Sequence, residues 1–111
     1  MSHDAQLPRP ERVSLEGRIL RLLCSDSLSR EEKSRAINEV DKYAWCEPEH
    51  DVLFQAIRRI GACDGRRLRE ELPAQLTRMG FPDVNWDQYF VEGNAISDSM
   101  ADLISLLIRQ R

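Results

Sequence analysis

The sequence predicts an all-α fold, a compact orthogonal bundle of five or six short helices, and three observations carry that expectation. Apolar residues recur every three to four positions along most of the chain, the period of a helix that buries one face. Start and stop signals bracket those runs. No stretch alternates apolar and polar residues for long enough to make a half-buried strand.

The elements follow in order. Residues 1–13 show no apolar periodicity and are expected to form a flexible N-terminal arm, with 14–111 a single helical domain. Ser14 is the expected cap of a first helix that carries Leu15, Ile19, Leu22 and Leu23 on one face. Ser25, Asp26 and Ser27 break that pattern. Ser29 and Glu32 have the spacing of a capping box, in which each side chain bonds the other residue's amide. The helix they open points Ala36, Ile37, Val40 and Tyr43 inward, with charged residues on its other faces.

The third helix is the clearest. Pro48 suits its first turn, where a missing N–H costs nothing. Glu47, Glu49 and Asp51 stand at the positive end of the helix dipole, and Arg58 and Arg59 near the negative end. Val52, Leu53, Ala56, Ile57 and Ile60 make its buried stripe, with Phe54 at the margin, and Gly61 ends it. Asp64 caps the next segment, through Leu68, Glu71 and Leu72, where Pro73 is expected to kink or restart the helix. Leu76 and Met79 continue its stripe up to the stop signal Gly80-Phe81-Pro82. Asn85 is the expected cap of a short helix presenting Trp86, Tyr89 and Phe90. Ile96, Met100, Leu103, Ile104 and Leu107 form the last helix, with Arg109 and Arg111 at its favourable end.

The totals bound the function. A chain of 111 residues has room for one core, and its net charge of −3 disfavours a general polyanion binder, which needs cations to displace counterions. Cys24, Cys46 and Cys63 are odd in number and unrelated in spacing, as expected of reduced thiols. No apolar run approaches the roughly 18 residues of a membrane span, so no membrane partner is expected. The polar start, with Pro8 and Pro10, lacks the apolar segment of a secretory signal. A cytoplasmic protein is the expectation.

No catalytic constellation emerges. Cys46 and His50 have the spacing of two metal ligands on one helical face, but Pro48 between them puts Cys46 ahead of the first turn. No second pair completes a tetrahedral site. His50 is instead expected to bond a carbonyl or carboxylate, and Cys46 to act as a small hydrophobe. Arg58, Arg59, Arg66, Arg67 and Arg69 could form a nucleic-acid patch, yet Asp64, Glu70 and Glu71 are interleaved and no aromatic residue lies nearby for stacking. Glu31, Glu32, Glu39 and Asp41 read as a solvated helix face. No Gly-x-Ser-x-Gly turn, phosphate loop or dinucleotide glycine pattern occurs, so neither an enzyme nor a cofactor is expected. Trp45, Phe81, Trp86, Tyr89 and Phe90 offer more aromatic surface than a small core needs. Most of these rings are expected in the core, and the short Trp86 to Phe90 segment is the place where an exposed patch, as at a protein contact, would lie.

The run from Trp45 through Cys46, Glu47, Pro48, Glu49, His50, Asp51, Val52, Leu53, Phe54, Gln55 and Ala56 to Ile57 resembles the N-terminal domain of DnaB-type replicative helicases. In that family an aromatic residue precedes a Pro-x-His helix start, an apolar pair and Ala-Ile. Glu16, Ile19, Leu20, Leu22, Leu23 and Asp26 resemble the family's opening helix, and Asp64, Leu68 and Leu72 the helix that follows. Pro73 departs from the pattern, residues 83–111 have no clear counterpart, and no phosphate loop is present, so helicase activity is not expected. The family domain is all-α, lacks catalytic residues, self-associates, and takes part in the contact with primase, whose helicase-binding C-terminal domain is similar. The resemblance therefore implies a non-catalytic protein–protein interaction module, in the context of DNA replication, with a protein partner or self-association as a homodimer. The alternative is a nucleic-acid accessory protein using the Arg58–Arg69 cluster.

Overall fold

Proline starts the first helix instead of extending an arm. In the computed structural model, which describes residues 8–26, 28–90 and 100–108, α1 spans Arg9–Cys24 with Pro8 at its N-cap. Pro8 and Pro10 have φ preset for a first turn and no amide that the turn would use. The Arg9 guanidinium also donates to the Cys46 carbonyl at 3.0 Å, which ties this turn to the body of the protein. Ser14 therefore lies within the helix, and the expected arm loses residues 9–13 to it; residues 1–7 lie outside the described part.

α2 spans Arg30–Glu39 behind the expected capping box, with Ser29 Oγ accepting from the Glu32 amide and Glu32 from the Ser29 amide. α3 spans Pro48–Ile60, with proline in its first turn, and stops at Gly61, whose φ of 96° an L side chain rarely adopts. α4 spans Gly65–Arg78, capped by Asp64 accepting from the Arg67 amide at 2.8 Å.

Pro73 does not break α4. An interior proline costs about 3 kcal/mol. Leu68, Leu72 and Leu76 are all buried along the same face. Each contributes about 1.5–3 kcal/mol, so burial outweighs the proline. The Thr77 hydroxyl donates to the Pro73 carbonyl at 2.9 Å.

The stop after α4 is a Schellman motif. The Phe81 amide donates to the Leu76 carbonyl at 2.8 Å and the Gly80 amide to Thr77 at 3.0 Å, with Gly80 at φ 90°. Trp86–Tyr89 is a single 3-10 turn that gains no side-chain cap from Asn85, contrary to expectation. α5 spans Met100–Ile108; Ile96, Arg109 and Arg111 fall outside the described residues.

Among the described residues the fold is all helical, with no strand. α1 packs against α3, α4, α5 and the 3-10 turn, α3 packs along α4, and α2 packs on α5. The central position of α1 follows from its sequence: Leu15, Ile19, Leu20, Leu22 and Leu23 form a broad apolar face over almost half of the cylinder, and all are buried. Phe54 belongs to the core too, not its margin, whereas Val52 and Ile60 are only half-buried. No helix among the described residues is long and apolar enough to cross a membrane.

Candidate functional site

Among the described residues Glu16, Lys33 and His50 are the acidic or basic side chains buried inside the bundle, and they fasten it together. Glu16, on α1, is fully buried. Its Oε2 accepts from the Tyr43 hydroxyl at 2.5 Å and the Cys46 amide at 2.7 Å. Its Oε1 bonds His50 Nδ1 at 2.9 Å and receives a longer bond from the Glu47 amide at 3.4 Å. One carboxylate thus gathers the loop before α3 and the start of α3 itself. Burial pushes its carboxyl up, but the bonds from His50, Cys46, Tyr43 and Glu47 together hold it below its ordinary 4.5.

Aromatic rings close over this network. Trp45 meets Tyr43 edge-on at 5.2 Å and lies tilted on Phe54 at 5.1 Å; His50 meets Tyr89 edge-on at 5.9 Å. The Tyr89 hydroxyl donates to Glu49 Oε1 at 3.1 Å, where Gln88 also donates. His50 thus bonds a carboxylate, one of the two acceptors expected for it, and only 5% of it is exposed. Among the described residues no three His, Cys, Asp or Glu side chains are placed to hold a metal ion.

Lys33 is the second internal charge, at 2% exposure. It breaks the expectation that the charged residues of α2 face solvent. Its ammonium donates to the Cys63 carbonyl at 2.7 Å, joining α2 to the α3–α4 turn. Burial holds its pKa below the ordinary 10.5, against the pull of Asp26.

The surface tells a different story. Arg58 pairs with Asp41, Arg66 with Glu70, Arg67 with Glu71 and Arg69 with Asp87, at 2.5, 3.7, 2.6 and 3.1 Å. The basic cluster is therefore already largely neutralised by carboxylates. The Trp86 to Phe90 segment is not the exposed patch either. Tyr89 is buried, while Trp86 and Phe90 pack edge to face and lie half-buried against the core.

Phe81 is the exposed aromatic, at 45%. It stands beside a groove of about 310 Å³, where Pro48, Glu49 and Val52 of α3 face Phe81, Asp83 and Val84. Glu16, Tyr43 and His50 do not line that groove. The arrangement offers apolar contact with an acidic margin. No protein-family model, curated protein or solved structure matches this chain.

Proposed function

We propose that this chain is a non-catalytic helical module that docks another protein through the groove between the start of α3 and the turn after α4. Phe81 carries the reading. A phenylalanine left almost half in water, over a groove with further apolar walls, gains by burial against a partner. The likeness of residues 45–57 to the helicase N-terminal domain supports the same class of function, since Pro48, Glu49 and Val52 fall within that run. A replication role and self-association remain part of this proposal through that likeness alone.

The interior polar groups favour a binding module over an enzyme. Glu16, Tyr43 and His50 could trade protons, but each is buried and the carboxylate is already saturated with donors. The nucleic-acid reading loses support from the ion pairs along Arg58 to Arg69.

The test is affinity capture from the source cells with immobilised wild-type chain and a Phe81→Ser variant, combined with light scattering of both. A defined partner, or a dimer, held by the wild type and lost in the variant is the expected outcome. Equal behaviour of the two chains would remove the reading.

A further inference from the structure

The charges around the groove narrow what can fill it. We infer that the groove receives a segment of another protein in which a bulky apolar side chain is flanked by lysine or arginine. This rests on the docking function proposed above and names the partner's chemistry.

Apolar contact comes from Pro48 and Val52 on one side and Phe81 and Val84 on the other. The ionisable side chains that line the groove, Glu49 and Asp83, are both carboxylates. Glu47 and Asp51 add two more at the start of α3. The helix dipole supplies only about half a positive charge at that end, so the carboxylates dominate the local potential. None of the described arginines or lysines lines the groove, and Arg21, beside the Glu49–Tyr89 bond, stands over the Tyr89 ring at 5.8 Å. Arg9 is engaged at the Cys46 carbonyl, Arg69 at Asp87 and Arg78 at Gln75.

Glu49 keeps capacity for a cation. The donors from Gln88 and Tyr89 both fall on Oε1, whereas a carboxylate offers about four acceptor sites over its two oxygens. Those two bonds also hold the side chain in place, so an incoming guanidinium meets a positioned acceptor at little entropic cost. The groove's size suits one bulky side chain and its flanks, at the small end of the range for binding pockets. A second copy seated groove to groove would set Glu49 and Asp83 against their own counterparts, which like-charge repulsion opposes. A basic and apolar segment satisfies both features at once.

Selection from a random library of short displayed peptides on the wild-type chain, with Phe81→Ser and Asp83→Lys as comparisons, tests the assignment. Both variants alter exposed positions, and matching circular dichroism melts establish that they fold. Enriched peptides are expected to carry a bulky apolar residue beside Lys or Arg. Their affinity should fall about tenfold in Asp83→Lys and further in Phe81→Ser. Phe81-dependent peptides with acidic or uncharged flanks would overturn the partner chemistry while leaving the docking function intact. A dimer abolished by Phe81→Ser, with no Phe81-dependent peptide, would likewise replace the basic segment with a second copy. Neither peptide nor dimer dependent on Phe81 would overturn both.

Discussion

Gly65 opens α4 directly against the carbonyl oxygen of Cys24, so closely that a Cβ at this position would stand 2.5 Å from it. Asp26 fixes the approach by accepting from the Gly65 amide at 2.9 Å. The end of α1 and the start of α4 are therefore clamped with no room for a methyl group. Gly65→Ala is expected to lower stability by about 1–3 kcal/mol, because backbone must move. Gly17 is the contrast. A Cβ there would meet Arg21 and His50 side chains at 3.5 Å or more, in ordinary contact. Gly17→Ala should raise stability by about 0.5–1 kcal/mol through helix propensity. Thermal unfolding of the two variants should show midpoints displaced in opposite directions from the wild type.

Acid should loosen the bundle through Glu16. Its donors hold the folded carboxyl below the ordinary 4.5, despite burial, so folding favours the ionised form. The resulting stabilisation is complete above that ordinary value and drains away as pH falls through the lowered folded value. Glu16→Gln cannot accept the same set of bonds, and at neutral pH it should be less stable by about 1–3 kcal/mol. The gap between wild type and variant should narrow as urea unfolding is repeated at pH values descending from 4.5. Glu32, lowered by the Ser29 amide and hydroxyl at the α2 cap, titrates in both proteins and cancels from the difference. A gap that stays constant with pH would contradict this account.

Helix positions were readable from the sequence because caps and apolar periods are local. Ser29, Pro48, Gly61, Asp64 and Gly80 act as their residue types require. The buried charges were readable as well, had geometry been allowed to outrank charge. Glu16 shares a helical face with Ile19, Leu20 and Leu23, and Lys33 with Ala36, Ile37 and Val40. Each sits on an apolar stripe, and the partners that make it tolerable, His50 with Tyr43 and the Cys63 carbonyl, come from distant segments. Pro73 does not restart the helix, because its cost is local and the burial that offsets it is tertiary. The groove had no sequence signal at all. Its walls come from 48–52 and 80–84, and exposure of Phe81 in place of Trp86 depends on how the 3-10 turn folds back.

Lys33 should prove to be a fastener whose stem matters more than its charge. The side chain is almost wholly buried, and its ammonium meets the Cys63 carbonyl. Lys33→Ala removes the stem and leaves that carbonyl unpaired, which should cost about 2–4 kcal/mol. Lys33→Met keeps most of the volume and also removes a charge that burial disfavours, so it should cost less than half as much. Urea midpoints at neutral pH separate the two. Equal losses would mean that the ammonium, not the packing, dominates.

The cysteines should differ sharply in reactivity. Burial pushes the Cys24 thiol up to about 12 even though Lys33 draws it down, and burial also raises Cys63 against Lys33 and Arg67. Alkylation requires the thiolate, and near pH 8 Cys24 holds only about one part in ten thousand in that form. Both thiols are also shielded by the core, whereas Cys46 is partly exposed on the loop before α3. Iodoacetamide at pH 8 should therefore modify Cys46 first in the folded protein and give a single adduct by intact mass. Cys24 and Cys63 should follow only as fast as the bundle opens, and all three should react promptly in urea. Destabilising the clamp with Gly65→Ala should accelerate Cys24 and leave Cys46 unchanged, because only the former depends on opening. Rapid labelling of Cys24 in the intact wild type would show that the end of α1 opens independently of the rest of the core.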